Sequence, residues 1–150
     1  MFEFHYERFT PHQKKKVMEF LSSLSLHTRD MLSVSGVDPR SIYHSFREAW
    51  TLSAPVCLYH ENEVIAIGKL SEWNSNVYLS CLVVRDDLHR KGFGSKLVKY
   101  MFALGVLNGS KKIYLEVRKD NPVGLSFFTS LGFHKSKEYE LTYLMERKLI

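Results

Sequence analysis

The segment from His89 to Gly94 reads His-Arg-Lys-Gly-Phe-Gly and combines two glycines with basic side chains. We call residues 89–95 the glycine loop. Glycine has no Cβ atom, so the backbone at Gly92 and Gly94 can approach a ligand closely. If a helix begins here, the unpaired amides of its first turn point outward at the positive end of the helix dipole. With Arg90 and Lys91 beside these amides, the segment predicts an anion site, and a tight structural turn is the alternative.

A strand and a helix are predicted on either side of the glycine loop. Residues 77–84 form a long apolar run that is typical of a strand, and residues 93–107 are expected to form a helix that Asn108-Gly109 ends. Ligands of α/β proteins bind at the carboxyl ends of strands, where helix N termini point. The order of these elements therefore places the loop where a ligand is expected.

Hydrophobic patterns predict the remaining elements. A strand is expected at 2–9, and a helix begins at Thr10-Pro11 with apolar residues at helical spacing, namely Val17, Phe20, Leu21 and Leu24. A loop at 27–39 and a short helix at 40–50 follow. Further strands are expected at 55–59, 64–70, 113–117, 133–140 and 142–149, with turns at 60–63 and 73–76 and a helix at 121–131. This order predicts a mixed α/β (α+β) sheet with helices on its faces.

Length and composition fit one domain over residues 1–150. Of the 150 residues 45% are hydrophobic, which suits a compact core without disulfides or metals. No secretory signal and no apolar run of membrane-spanning length are visible, so we expect a cytoplasmic protein that does not enter a membrane. Cys57 and Cys81 lie in apolar segments and are predicted to be reduced core thiols. The seven histidines lack ligand spacing, so no metal is expected.

The net charge of +5 is unevenly distributed along the chain. Residues 1–75 hold eight Lys and Arg against nine Asp and Glu, whereas residues 76–150 hold thirteen against seven. The window 85–119 alone holds nine against three. Such a patch suits a nucleic acid, a nucleotide or a phosphorylated cofactor, and a solvated lysine-rich helix face is the alternative.

Two other phosphate-binding motifs fit the chain poorly. The sequence contains no GxxxxGK[ST] match, which a Walker loop requires. A dinucleotide fingerprint needs a third glycine where Leu97 stands, and the remaining chain is too short for the rest of that fold. An NAD enzyme is therefore not expected.

Two motifs stand in the C-terminal half of the chain. The first reads Leu82-Val83-Val84 followed by the glycine loop, and is similar to L-x-V, a short loop and Q/R-x-x-G-x-G/A. The second reads Leu115-Glu116-Val117, Asn121-Pro122-Val123-Gly124, Phe128 and Gly132-Phe133, and is similar to L-x-V, N-x-x-A, an aromatic residue and G-F. Together with the element order, the pair resembles the GNAT superfamily of N-acetyltransferases. This resemblance implies a GNAT-like mixed central sheet of six to seven strands flanked by about four helices.

The resemblance implies acetyl-CoA as co-substrate and assigns the residues that would bind it. Main-chain groups of Leu82, Val83 and Val84 would pair with the pantetheine arm, and Asn121 would contact the cofactor near its thiol end. The pyrophosphate would lie on the glycine loop, which consists of His89, Arg90, Lys91, Gly92, Phe93, Gly94 and Ser95.

Three positions depart from the family pattern. His89 replaces the usual Gln or Arg, and Gly124 replaces the common alanine. Phe128 stands where many members have a tyrosine that can protonate the departing thiolate. It falls on the apolar stripe of its predicted helix, so a packing role in the cofactor-binding region is favoured. Water, Tyr139 or Tyr143 could replace the missing acid.

Acetyl transfer to an amine requires a neutral amine and a polarised thioester carbonyl within reach of each other. The resemblance implies that the amide of Val84 polarises the carbonyl. Glu116, Glu72 and Glu138 are candidates for the base. Glu116 is preferred because it lies in an apolar strand where burial is expected, and because related ribosomal-protein alanine acetyltransferases use a glutamate in the same L-E-V. Pairing of Glu116 with Lys112 or Arg118 is the structural alternative.

Three functional hypotheses follow. The first is an N-acetyltransferase that moves an acetyl group from acetyl-CoA to a primary amine of a small molecule, peptide or protein by direct transfer. The second is a non-catalytic acyl-CoA-binding module, which the phenylalanine at position 128 suggests. The third is a nucleic-acid-binding domain, which the basic window suggests but which lacks any recognised motif, so no nucleic acid is expected. The substrate would be selected by residues 27–39 and 138–142, and the oligomeric state is open, a homodimer included.

Overall fold

A seven-stranded mixed sheet with the strand order β1-β2-β3-β4-β5-β7-β6 forms the centre of the fold. The computed structural model describes residues 2–6, 11–31, 39–40 and 53–149. The strands are β1 (Phe2–Tyr6), β2 (Ser53–His60), β3 (Glu63–Trp73), β4 (Asn76–Val84), β5 (Lys112–Arg118), β6 (His134–Glu138) and β7 (Thr142–Lys148). All neighbours are antiparallel except β4 and β5, which are parallel. The predicted mixed sheet is thereby confirmed.

Besides the helical residues 39–40, four α-helices lie in the described part of the chain. They are α1 (Pro11–Ser23), α2 (Leu26–Met31), α3 (Phe93–Leu107) and α4 (Pro122–Ser130), and a 3₁₀ turn spans Asp86–Leu88 between β4 and α3. The bounds of α3 agree with those predicted from the sequence. The predicted helix at 40–50 lies outside the described residues, apart from residue 40.

The two faces of the sheet are covered by different helices. On one face, β-strand side chains such as Leu79 and Leu115 pack with Leu97 and Met101 of α3 in the larger core cluster. On the other face, the apolar stripe of α1 packs against β2 and β3 in a second cluster. The stripe consists of Val17, Phe20, Leu21 and Leu24, all of them buried as the helical spacing predicts.

Tight turns connect β2 to β3 and β3 to β4. Glu61 and Asn62 both have positive φ angles, as do Asn74 and Ser75, which is the backbone of two-residue type I′ hairpin turns. The predicted turn at 73–76 is shorter than expected, because β3 extends to Trp73. Glu72 and Trp73 are therefore strand residues with fixed orientations.

The predicted loop at 27–39 is wrong at its start, where α2 forms. Ser25 Oγ accepts a hydrogen bond from Thr28 N over 3.1 Å, which is an N-cap contact. Asp86 accepts from Ser25 N over 2.7 Å and from Thr28 Oγ1 over 2.6 Å. This carboxylate lies 58 residues or more along the chain from its donors, so local sequence patterns could not reveal it.

Cys57 is a buried free thiol, as predicted. Burial raises the pKa of its thiol to about 12, so the thiol stays protonated at neutral pH. The side chain of Cys81 lies outside the described residues.

Candidate functional site

The parallel strands β4 and β5 diverge from each other. They are in register only at Val77 with Ile113 and at Tyr78 with Tyr114. Beyond these pairs β4 continues along β3, while β5 pairs with β7 along its whole length. A gap therefore opens between residues 79–84 of β4 and residues 115–118 of β5.

A β-bulge lies in β4 at the start of this gap. Ile67 pairs with Val83 and Lys69 with Ser80, so two steps along β3 correspond to three along β4. A bulge increases local twist and bends the strand that carries it. On β3 the residue opposite the bulge is Gly68, where an added Cβ would lie 2.6 Å from Met101 Cε. The bulge and the close approach of α3 thus both shape the end of β4.

The alternation of hydrogen bonds along β3 and β4 sets the direction of the Val84 amide. Arg85 N donates to Ile65 O over 2.8 Å, and Val84 is opposite Ala66. In an antiparallel pair, hydrogen-bonded and non-bonded residue pairs alternate. The N–H and C=O of Val84 are therefore directed away from β3, toward the gap.

His89 is held at the end of β4. Its Nε2 lies 2.7 Å from Val84 O and 4.0 Å from Asp86 Oδ1. A carbonyl can only accept, so Nε2 carries the donated proton. The Val84 carbonyl is thus engaged, whereas its amide remains directed toward the gap. Sequence reasoning placed the His89 side chain on a ligand and did not foresee this contact with the strand.

The glycine loop has the backbone that an anion site requires. Gly92 is the N-cap of α3 with φ 86° and ψ 3°, and Arg90 also has a positive φ of 63°. No side chain caps the helix, so the amides of its first turn are not satisfied by a capping side chain. An added Cβ at Gly92 would meet no atom within 4 Å. Arg90 and Lys91 are both exposed beside this open space.

Gly94 has a different role from Gly92. A Cβ at this position would lie 3.2 Å from Phe127 Cζ and 3.4 Å from Val84 Cγ2. The absence of a side chain therefore lets the first turn of α3 approach both α4 and the end of β4. Phe93 packs on the core and contacts the ring of Phe2 at a centroid distance of 5.2 Å, and Ser95 is half-buried.

Asn121 and Phe128 have clear structural contacts. Asn121 is the N-cap of α4, and its Oδ1 accepts from Gly124 N over 3.0 Å. An added Cβ at Gly124 would lie 2.6 Å from Asn121 Nδ2, so an alanine here would require the Asn121 side chain to shift. Phe128 contacts the rings of Phe127 and Phe133 edge-on, which confirms the packing role predicted for it.

An open cleft of about 300 Å³ lies on the side of the sheet opposite α3. Its lining consists of Ser71, Glu72, Trp73, Tyr78, Glu116, Tyr139 and Leu144. Of the three candidate bases, Glu116 points into the cleft. The Glu72 carboxylate lies on the α3 face instead, because Glu72 pairs with Val77 and its Oε1 accepts from Asn108 Nδ2 over 3.3 Å. The expectation that Glu116 is buried is wrong: alternate residues of β5 face α3, and Glu116 points to the other face, where it is exposed. Its Oε2 accepts from Thr142 Oγ1 over 3.0 Å, and not from Lys112 or Arg118.

Glu138, the third candidate, is committed to an ion pair. Its Oε2 lies 2.7 Å from Lys119 Nζ, and this hydrogen bond lowers the pKa of the carboxyl. A carboxylate with a lowered pKa is a weaker base. Of the candidate acids, Tyr139 lines the cleft, whereas Tyr143 packs against the core and lies beneath the ammonium groups of Lys119 and Lys135.

Trp73 and Tyr78 are cleft residues that sequence reasoning missed. Trp73 was assigned to a turn, and Tyr78 is a single aromatic residue in an apolar strand. Period-two alternation along β4 could have placed Tyr78 on the face opposite Val77 and Leu79. The position of Trp73 depends on the extension of β3, for which the sequence has no local signal.

Comparison with known proteins assigns this architecture to a family. The family model described as Acetyltransferase (GNAT) family matches residues 22–133. The chain belongs to the GNAT family. A relative from Bacillus subtilis (strain 168), named uncharacterized N-acetyltransferase YobR, is 26% identical over 82 residues. The match covers 55% of this chain and 33% of YobR, so the matched region is about a third of that relative.

Solved GNAT structures share the fold over nearly the whole chain. The PaiA N-acetyltransferase of Thermoplasma acidophilum, determined in complex with coenzyme A, has a TM-score of 0.77 at 14% identity, with 97% of this chain and 99% of that chain covered. The GNAT domain of S. lividans PAT has a TM-score of 0.83 at 14% identity, covering 97% and 89%. These likenesses confirm the GNAT-like sheet and helices expected from the sequence.

None of the described helices is long and apolar enough to cross a membrane. Across the same residues, no group of three or more His, Cys, Asp or Glu side chains is arranged to hold a metal ion.

Proposed function

We propose that residues 1–150 form one GNAT domain that transfers an acetyl group directly from acetyl-CoA to a primary amine. The observation that carries this proposal is the divergence of β4 from β5, with the Val84 amide directed into the gap and the glycine loop at its end. Membership of the GNAT family supports the acetyl transfer. A cytoplasmic location and a homodimer stay predictions.

The gap and the glycine loop are suited to different parts of acetyl-CoA. Main-chain groups of Leu82, Val83 and Val84 border the gap and would bind the amide-bearing pantetheine arm. The uncapped amides after Gly92 would bind the pyrophosphate, with Arg90 and Lys91 adding positive charge. Asn121 lies at the start of α4, and Phe128 lies on the side of α4 that packs on the core. Both would border the pantetheine arm on the side opposite β4.

Each chemical requirement of acetyl transfer has a candidate group. Glu116 in the cleft would accept the proton of the attacking amine, directly or through water. The Val84 N–H would stabilise the oxyanion that develops on the thioester carbonyl. As the C–N bond forms, the C–S bond breaks and coenzyme A leaves as a thiolate. Tyr139 in the cleft or water would then protonate this thiolate, because Phe128 cannot donate a proton.

A non-catalytic acyl-CoA-binding module is the second candidate. The observation that favours it is the aromatic cluster of Phe127, Phe128 and Phe133, which occupies the position where an acid is common. This candidate predicts binding of coenzyme A without turnover.

Mass spectrometry of amines incubated with acetyl-CoA tests the proposal, together with melting temperatures measured with acetyl-CoA, CoA, NAD or ATP. We expect a higher melting temperature with acetyl-CoA and CoA only, and a mass gain of one acetyl group on an amine. Glu116→Gln should lower kcat without changing the shift with acetyl-CoA, and Glu19→Gln on the exposed side of α1 is the charge-matched control. Stabilisation without turnover on a broad amine panel supports the binding module, and no stabilisation contradicts both candidates.

A further inference from the structure

The face of the sheet opposite α3 carries a carboxylate beside a group of aromatic side chains. The lining of the cleft includes the rings of Trp73, Tyr78 and Tyr139 together with Glu116. The Glu72 carboxylate lies on the α3 face, where its Oε1 accepts from the end of α3. The side chains that the cleft offers to a ligand are therefore mainly aromatic, with the carboxylate of Glu116 as their charged group.

The aromatic residues of the cleft form an ordered surface that is open to water. Trp73 contacts the rings of Tyr114 and Tyr78 at centroid distances of 4.8 and 5.9 Å, with interplanar angles of 87° and 74°. These contacts hold the indole, yet 39% of Trp73 and 40% of Tyr139 stay exposed. Exposed aromatic surface in a cleft is typical of a ligand site, because a ligand removes it from water. The cleft thus favours an occupant with a flat, apolar group.

The charges around the cleft suit an occupant with one ammonium group. Glu116 Oε2 accepts from Thr142 Oγ1 over 3.0 Å, and within the described chain no Lys or Arg forms an ion pair with this carboxylate. Its negative charge is therefore available to an amine. Lys137 Nζ lies 5.2 Å from the ring centroid of Tyr139, so a second ammonium group would meet a positive charge at this side of the cleft.

The spacing between the rings and the carboxylate limits the length of the acceptor. Tyr114, whose ring contacts Trp73, lies two residues before Glu116 on the same face of β5, which corresponds to about 7 Å. An amino group and a ring joined by two or three carbon atoms cover such a distance, since each bond spans about 1.5 Å. A cleft of about 300 Å³ lies at the lower end of ligand-site volumes, which suits a small molecule.

We infer that the acceptor is an arylalkylamine, a primary amine joined to an aromatic ring by a short alkyl chain. This inference rests on the proposed acetyltransferase function and names its substrate class. The ring packs against Trp73 and Tyr78, and the amino group lies near Glu116, which borders the gap between β4 and β5. The neutral amine attacks the thioester carbon and passes a proton to Glu116, directly or through water. The C–N bond forms as the C–S bond breaks, and coenzyme A leaves as a thiolate.

Four primary amines separate the aromatic ring from other properties of the acceptor. They are 2-phenylethylamine, 2-cyclohexylethylamine, ethylamine and 1,4-diaminobutane. We expect kcat/KM to fall at least about tenfold from phenylethylamine to ethylamine, because the apolar area that the ring would bury is lost. A fall of about two- to tenfold is expected for cyclohexylethylamine, whose ring has as many carbon atoms but no aromatic face. The diamine should be a poorer substrate than phenylethylamine.

Variants assign the preference to the cleft. Trp73→Leu stays apolar but removes the ring, so it should bring the phenylethylamine to cyclohexylethylamine ratio of kcat/KM to near one, whereas Trp73→Phe should retain part of the preference. Tyr100→Leu removes a half-buried ring of α3 that packs on the opposite face of the sheet, and it should leave the ratio unchanged. Melting with acetyl-CoA verifies that each variant is folded and loaded.

The possible outcomes separate this inference from the proposed function. Acetylation of ethylamine, cyclohexylethylamine or the diamine with a kcat/KM equal to or above that of phenylethylamine overturns the inference and leaves the acetyltransferase function standing. A preference for the aromatic ring that survives Trp73→Leu overturns the assigned site. Absence of acetylation of every amine tested, including a broad panel, overturns the proposed function itself.

Discussion

Replacing Gly92 with alanine should affect stability and cofactor binding for separate reasons. In the free protein the new Cβ meets no atom within 4 Å, so the cost is conformational only. The φ angle of 86° places the residue in the left-handed region, where a non-glycine residue costs about 1–2 kcal/mol. A chain of 150 residues loses roughly 2–4 °C in melting temperature per kcal/mol, so we expect a decrease of about 2–8 °C.

Gly109 supplies the matched control for this variant. It lies just beyond the other end of α3, has a φ of 79°, and an added Cβ there also meets no atom within 4 Å. Gly109→Ala should therefore destabilise the fold by a similar amount. Only Gly92→Ala places a Cβ where the pyrophosphate would approach, so only this variant should raise the Kd for acetyl-CoA, by about tenfold or more in titration calorimetry. Equal Kd values for the two variants would refute the assignment of the pyrophosphate to Gly92.

Three further predictions concern contacts around the site. Gly124→Ala should destabilise the wild type, because the Cβ would lie 2.6 Å from Asn121 Nδ2, but should be neutral or favourable in Asn121→Ala. A double-mutant cycle measures this coupling by comparing the free energies of unfolding of the two single variants and the double variant. Additive changes in the free energy would contradict the coupling. Asp86→Ala removes two hydrogen bonds at the start of α2 and should lower the free energy of unfolding by about 1–3 kcal/mol. Urea titration measures this change, and an unchanged midpoint would disprove it. Lys119 lowers the pKa of Glu138, so the charged pair stabilises the fold at neutral pH and this contribution is lost as pH falls through the lowered pKa. The difference in melting temperature between wild type and Glu138→Gln should therefore be present at neutral pH and be lost in acid, once the pH falls through the lowered pKa of Glu138. A difference independent of pH would exclude the ion pair as its cause.

Local patterns predicted most of the elements because their signals lie within a few residues. The apolar stripe of α1 and the helix that ends at Asn108-Gly109 depend on spacing and end signals alone. The extension of β3 to Trp73 depends on pairing with Asn76 across the turn. The start of α2 depends on the distant carboxylate of Asp86. The ends of elements that depend on contacts between residues far apart in the chain could therefore not be predicted from the sequence.

The same distinction applies to the candidate site. The glycine loop is contiguous, so its composition and charge alone predict an anion site, which stays a prediction. The cleft is assembled from β3, β4, β5, β7 and the connection between β6 and β7, and strand register decides which side chains meet in it. Glu116 was identified from its motif, yet its exposure could not be predicted, because that depends on which face of β5 a helix covers.

The divergence of β4 from β5 also bears on how the sheet unfolds. Only two residue pairs join the unit of β1 to β4 to the unit of β5, β7 and β6, whereas the pairings inside each unit run along most of each strand. Opening of this seam breaks few backbone hydrogen bonds, so we expect the two units to exchange their amide hydrogens at different rates in the free protein. A ligand that spans the seam would join the units and make their unfolding cooperative. In this fold the occupant of the gap would thus act as an internal part of the sheet as well as a reactant.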